Sequence, residues 1–253
     1  MVQPDAPVST FSEKTTVGLA KRRNRRADRS TTVAVKHEAA TPLTPIPFSR
    51  PTTALAPLPH SRAEVEALGA IYGDHATLWP GAQATEAQAR AIGTEVTLIH
   101  FATHGLVDHH LPLESALALS QPGAGESGNG LLHAWEIIES MRLDADLVTL
   151  STCESALGET VSGEGILGLT RAFHYAGARS VMASLWSVTD RSTAALMARI
   201  YANLKAGMEK DAALRAAQLT LLHEPVTPPG SSEPMDASAP YFWAAFQLYG
   251  DYR

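Results

Sequence analysis

The segment Val96-Thr97-Leu98-Ile99-His100-Phe101-Ala102-Thr103-His104-Gly105 decides how the chain folds. Its first six residues, Val96–Phe101, form a short apolar run rich in β-branched and aromatic side chains, the pattern of a strand buried on both faces. Two more runs of this type follow, Leu147–Leu150 and Val181–Leu185. Between them the apolar spacing lengthens to the period of helices. Buried strands alternating with helices predict an α/β fold, a mainly parallel sheet flanked by helices.

Working outward, Ser61–Tyr72 reads as a helix, with Ser61 as N-cap and Glu64 three residues on as in a capping box. A short helix is expected near Thr85–Ala91 and a short strand at Ala116–Leu119. Gln121–Gly130 is a Gly-rich loop. Helices follow at His133–Met141, from Gly163–Gly165 to about Tyr175 with Gly177 past its end, at Asp190–Leu204, and at Asp211–Leu222. Thr227–Pro240 is a Pro/Ser loop, and Trp243–Tyr249 is the closing strand.

The 253 residues are 45% hydrophobic and carry a net charge of -6, enough apolar material for a sizeable core. The charge is uneven. Residues 1–50 hold nine Lys and Arg against four Asp and Glu, a net +5, leaving -11 for the rest. An acidic body is a poor nucleic-acid surface, so no direct nucleic-acid partner is expected. Residues 1–50 lack a sustained period and end among Pro42, Pro45, Pro47 and Pro51, which predicts a disordered basic arm or linker before a domain over 51–253. No apolar run reaches the length of a membrane-spanning helix, and no secretory signal is seen. The lone cysteine, Cys153, excludes an intrachain disulfide and suits a reducing, cytoplasmic compartment.

Two of the buried strands lead into reactive side chains, Thr103-His104-Gly105 and Ser151-Thr152-Cys153-Glu154. Ligands of open α/β sheets bind beyond the carboxyl ends of strands. If the two strands are parallel neighbours, His104 and Cys153 emerge at one edge. An adjacent imidazole favours the thiolate, the attacking form of a cysteine. The Gly105 and Cys153 N–H groups are candidates for an oxyanion hole.

These residues resemble the CHAT domain, a family of the caspase–separase–gingipain group of cysteine peptidases. The resemblance rests on Ala102-Thr103-His104-Gly105, on LSTCESALGE at Leu150–Glu159, on the segment Gly163–Asp190, and on PYFWAAFQLYGD at Pro240–Asp251. The His-before-Cys separation of 49 residues is similar to that of caspase-type peptidases. The resemblance implies a caspase-like fold, His104 as general base or orienter and Cys153 as nucleophile. It implies a protein substrate, no cofactor, and control by a sensor or partner protein in bacterial defence or regulated proteolysis. An alternative is a catalytically inactive CHAT-fold interaction module, and a third is an acyltransferase-like thiol enzyme. Ser184–Asp190 is similar to the separase segment that shapes the pocket for the residue before the cleaved bond. There Trp186 would form an apolar wall and Asp190 would meet an arginine or lysine. Asp190 is also a candidate cap for the helix it opens. This chain departs from the family in carrying Thr152 for the usual Ala and Ser155-Ala156 for the usual Thr-Gly.

Other motifs carry less. His100, His104, His109 and His110 cluster, but a four-residue step along a strand does not align metal ligands, so no metal is expected. Gly163-Glu164-Gly165-Ile166-Leu167-Gly168 imitates a dinucleotide fingerprint without its strand or its acidic ribose partner, and reads as helix packing. A phosphate loop and a serine elbow are both missing.

Overall fold

The computed structural model describes residues 16–20, 31–35, 55, 58–108, 110–122, 128–156 and 164–253. Among them, nine strands form one mixed, mostly parallel sheet. They are β1 (Thr16–Ala20), β2 (Thr31–Val35), β3 (Ala76–Trp79), β4 (Leu98–Val107), β5 (Ala116–Ala118), β6 (Leu131–His133), β7 (Leu147–Ala156), β8 (Ser180–Ser184) and β9 (Phe246–Gly250). The order is β1-β3-β2-β4-β7-β8-β9, with β5 and β6 branching from β4. Strands β3, β2, β4, β7 and β8 run parallel. β1 and β9 are antiparallel to their neighbours.

The helices are α1 (Ser61–Tyr72), α2 (Glu86–Arg90), α3 (Ala134–Ser140), α4 (Glu164–Ala176), α5 (Asp190–Lys205), α6 (Lys210–His223) and α7 (Pro240–Trp243). Two cores result, one on each face of the sheet. Ile99 and Phe101 of β4 and Val148 and Leu150 of β7 pack with Ile137 of α3 and Leu169 and Phe173 of α4. The alternate residues Leu98, Ala102 and Leu147 pack with Val65 and Leu68 of α1 and with Leu196, Ile200 and Tyr201 of α5. Side chains of a strand alternate between faces, so a strand covered by helices on both sides must be apolar almost throughout. All ten residues of β4 are buried.

The central strands outrun their apolar cores. The sequence ends them at Phe101 and Leu150, whereas β4 continues through His104 to Val107 and β7 through Cys153 to Ala156. The extension follows from ladder pairing. β5 lies antiparallel along His104–Leu106 on one side, and β7 lies on the other. The backbone polar groups of this polar stretch are thus matched although its side chains do not signal a strand.

The expectation of an arm over 1–50 does not hold for Thr16–Ala20 and Thr31–Val35. Both are strands of the sheet, and β2 pairs in parallel with β4 at Phe101 and Ala102. Thr31–Val35 is β-branched at Thr31, Thr32, Val33 and Val35, a signal outweighed by the surrounding charge and proline. The rest of the stretch, including Arg22–Arg29, lies outside the described residues. Strands β3 and β6 are likewise additions to the sequence reading, because short strands carry too little period to read. The closing segment divides into α7 and β9, starting at Phe246.

Glycine is required where α4 ends. Gly177 has φ +115°, and a Cβ there would lie 2.1 Å from the Leu143 carbonyl oxygen. The Gly177→Ala variant is therefore expected to lose about 1–3 kcal/mol of stability in urea denaturation, from backbone strain and displacement of the loop before β7.

Candidate functional site

The parallel β4–β7 ladder pairs ten positions, from Leu98 with Leu147 to Val107 with Ala156. His104 falls opposite Cys153 in this register, and Gly105 opposite Glu154. Positions 100, 102 and 104 of β4 and 149 and 151 of β7 belong to the row facing α1 and α5, by the alternation seen in both cores. The backbone thus brings the two sequence-predicted positions together within the sheet rather than in loops beyond it. His104 is almost fully buried, at 2% exposure.

The surroundings are rich in hydroxyls. Thr103 donates through Oγ1 to the Ala118 carbonyl of β5. Ser184 Oγ of β8 donates to the Thr152 carbonyl over 2.9 Å. The hydroxyls of Ser151 and Thr152, both buried, have no hydrogen-bond partner among the described residues. Gly105 faces Thr152, and a Cβ at 105 would meet Thr152 Oγ1 at 3.1 Å and Thr152 Cβ at 3.3 Å. Gly105 is also inside the ladder, between Leu117 and Glu154. Its missing side chain therefore makes room for the Thr152 side chain, a requirement separate from any approach of substrate.

Trp186 follows β8, at the same carboxyl edge as the ends of β4 and β7. Its indole N–H donates to the Tyr241 carbonyl of α7 over 3.1 Å, leaving the ring half-buried against the α5 core. Asp190 does not cap its own helix. Thr189 is the N-cap of α5, accepting from the Ser192 N–H. The Asp190 carboxylate reaches α1 and accepts from the backbone N–H groups of His60 and Ser61. It supplies from a distant element the cap that α1 lacks locally, since His60 makes no side-chain cap bond. Burial pushes the Asp190 carboxyl up to about 7, the bond from His60 opposes this, and the Glu64 carboxylate raises it further.

The predicted capping box of α1 is not formed. Ser61 donates its hydroxyl to the Leu58 carbonyl over 2.7 Å. Glu64 turns into the core, where its Oε1 accepts from His100 Nε2 over 2.7 Å. His100 Nδ1 is 3.1 Å from the Tyr201 hydroxyl, which donates to Thr149 Oγ1 over 2.9 Å. His100 is thereby held by protein partners. Asp108 bonds the N–H groups of His110 and Leu111, as a loop residue would, and His109 lies outside the described residues. Gly168 packs on the Pro112 backbone, where a Cβ would come within 2.6 Å of its carbonyl oxygen, so that glycine serves helix packing.

This mixed, mostly parallel sheet between two helical layers is consistent with a caspase-like α/β fold. A model of the CHAT domain family matches residues 3–251, and the chain belongs to that family. The match takes in β1 and β2, which the sequence reading assigns to an arm. The chain is 27% identical over 230 residues to Tetratricopeptide repeat protein 28 of Mus musculus, covering 77% of this chain and 9% of that protein. To the Homo sapiens protein of the same name it is 26% identical over 230 residues, covering 77% and 8%. The chain therefore spans less than a tenth of the length of these curated relatives. No helix among the described residues is long and apolar enough to cross a membrane.

Gly105→Ala is expected to destabilise by about 1–3 kcal/mol through crowding against Thr152. Thr152→Ala in the same chain is expected to restore much of that loss, a coupling of about 1 kcal/mol in a double-mutant cycle read by urea denaturation. A pH dependence is expected at Asp190. Its folded-state value lies above that of an unfolded aspartate, so the folded protein holds the proton more tightly. That contribution is complete below about pH 4 and is lost as pH rises towards 7. The wild type should therefore lose stability relative to Asp190→Asn across this window, by roughly 1.4 kcal/mol for each pH unit crossed, and run parallel to it above.

Proposed function

We propose that this domain is a cysteine endopeptidase acting on a protein substrate through His104 and Cys153. The observation that carries the reading is the register of these two positions on neighbouring parallel strands. In the proposed reaction the Cys153 thiol passes its proton to the His104 imidazole, and the thiolate attacks the scissile carbonyl carbon. The imidazolium then protonates the leaving amine as the C–N bond breaks, giving a thioester. Water, losing a proton to His104, hydrolyses the thioester and frees the thiol. The Gly105 and Cys153 N–H groups are the proposed oxyanion donors, and the substrate oxygen would compete with the ladder for them. Trp186 is the proposed apolar wall of the pocket for the residue before the cleaved bond. A basic residue there would draw Asp190 from the first amides of α1. No cofactor enters this chemistry. A sensor or partner protein is the proposed source of control, in regulated proteolysis.

A second reading is a catalytically inactive interaction module. The near-complete burial of His104 favours it, because substrate must reach that ring. Labelling with a peptidyl acyloxymethyl ketone, followed by intact-mass spectrometry, separates the two. On the peptidase reading the wild type is labelled once, Cys153→Ala is not labelled, and His104→Ala is labelled at least ~100-fold more slowly. Labelling of Cys153 at the rate of a small free thiol, unchanged by His104→Ala, would establish the interaction module instead. With an active enzyme, a peptide library compared between wild type and Asp190→Asn reads the pocket. Loss of a preference for arginine or lysine supports the carboxylate role, and an unchanged preference leaves Asp190 as the cap of α1.

A further inference from the structure

Among the described residues, an ionisable chain that the proposed reaction does not use crosses the core. Glu64 is 1% exposed and His100 is not exposed at all. With Tyr201 and Thr149 they form a continuous hydrogen-bonded line, each member on a different element: α1, β4, α5 and β7. The Tyr201 ring also stands edge-on to His100 and to Tyr72, with centroid separations of 5.3 Å and 6.2 Å. His100 and Thr149 are themselves register partners, as are His104 and Cys153 four residues further along. The two pairs are about 13 Å apart along the strands, and His100, Thr149 and His104 lie in the row facing α1 and α5.

We propose that Glu64, His100 and Tyr201 are positioning residues for the His104–Cys153 pair. Their hydrogen-bonded line clamps β4 and β7 to α1 and α5 one row short of Ala102 and Ser151, and so fixes how the strand ends present the pair. The inference deepens the peptidase reading and rests on it for its functional meaning.

Burying a carboxylate and an imidazole requires giving up their hydration, and apolar side chains of similar volume hold such a site as well or better. Stability alone therefore gives no reason for the line. Directional bonds supply what apolar contacts do not, a single rotation and height of each helix against the strands. The next side chains along this row are Ala102, which is small, and Ser151, whose buried hydroxyl has no partner among the described residues. Neither can fix the helices, so the nearest directional contacts below the pair are those of His100 and Thr149. The negative charge of Glu64 is also felt at Asp190, where it raises the affinity for a proton. The turn between β8 and α5 thus belongs to the same polar cluster.

The test uses the full chain with Tyr201→Phe, Glu64→Gln and a control, Ile137→Val, which thins the core on the opposite face of the sheet. Iodoacetamide alkylation of Cys153 is followed against pH, beside thermal melting. Tyr201→Phe keeps the ring and loses only the hydroxyl, so it decides the matter if Glu64→Gln does not fold. The expected result is a cooperative melt with an alkylation midpoint displaced by half a pH unit or more. Electrophile labelling at pH 7 should fall about 5- to 10-fold, and both effects should be missing from Ile137→Val. A midpoint and a labelling rate unchanged from wild type, or changed no more than in the control, overturn the proposal and leave the line as scaffolding. If wild-type Cys153 behaves as an ordinary thiol, the peptidase reading fails by itself. The His104 ring signals, titrated by NMR, then decide the positioning role: displacement in Tyr201→Phe supports it, and coincidence with wild type overturns it.

Discussion

The ten-position parallel ladder between β4 and β7 is the constraint on which the other elements depend. It seats two apolar rows back to back, which obliges helices to cover both faces. α3 and α4 take one, and α1, α5 and α6 take the other. It also extends past the apolar part of each strand, carrying Thr103–Val107 and Ser151–Ala156 as paired backbone. A reactive histidine and cysteine on flexible loops would need separate devices to meet. Here the hydrogen-bond register sets their juxtaposition, and a slip of one residue in either strand would move every side chain of that strand to the other face.

The same ladder places demands on its neighbours. Gly105 has no side chain because Thr152 occupies the space. Among the described residues, the hydroxyls of Ser151 and Thr152 are buried without partners, just before the candidate nucleophile in sequence. Unpaired buried hydroxyls are unfavourable in an otherwise satisfied core.

Around the ladder, polar side chains work between elements rather than within them. Asp190 begins α5 and caps α1. Glu64 leaves the surface of α1 to meet His100 on β4. Arg90 of α2 bridges Glu86 of its own helix and Glu136 of α3. The Glu64 contact ties α1 to β4, while Asp190 and the Arg90–Glu136 pair tie helix to helix across segments far apart in the chain.

Much of this was legible in the residues alone. Three short apolar runs separated by helical periods determined the α/β class. Thr103-His104-Gly105 and Ser151-Thr152-Cys153-Glu154 determined the candidate pair, because reactive types after buried strands are few and distinctive. The strands within 1–50 were not legible. Five-residue strands carry almost no period, and β1 and β2 exist by pairing with β3 and β4, partners that only the folded chain brings near. The role of Glu64 was hidden for a related reason. Ser-x-x-Glu at a helix start is a local signal, and the histidine that captures Glu64 is 36 residues away in sequence. Local periodicity and side-chain chemistry thus determined the layers and the candidate residues. Tertiary structure decided where the strands ended, which face each polar group met and which partner it kept, because hydrogen bonds across elements depend on register and packing that no short window of sequence contains.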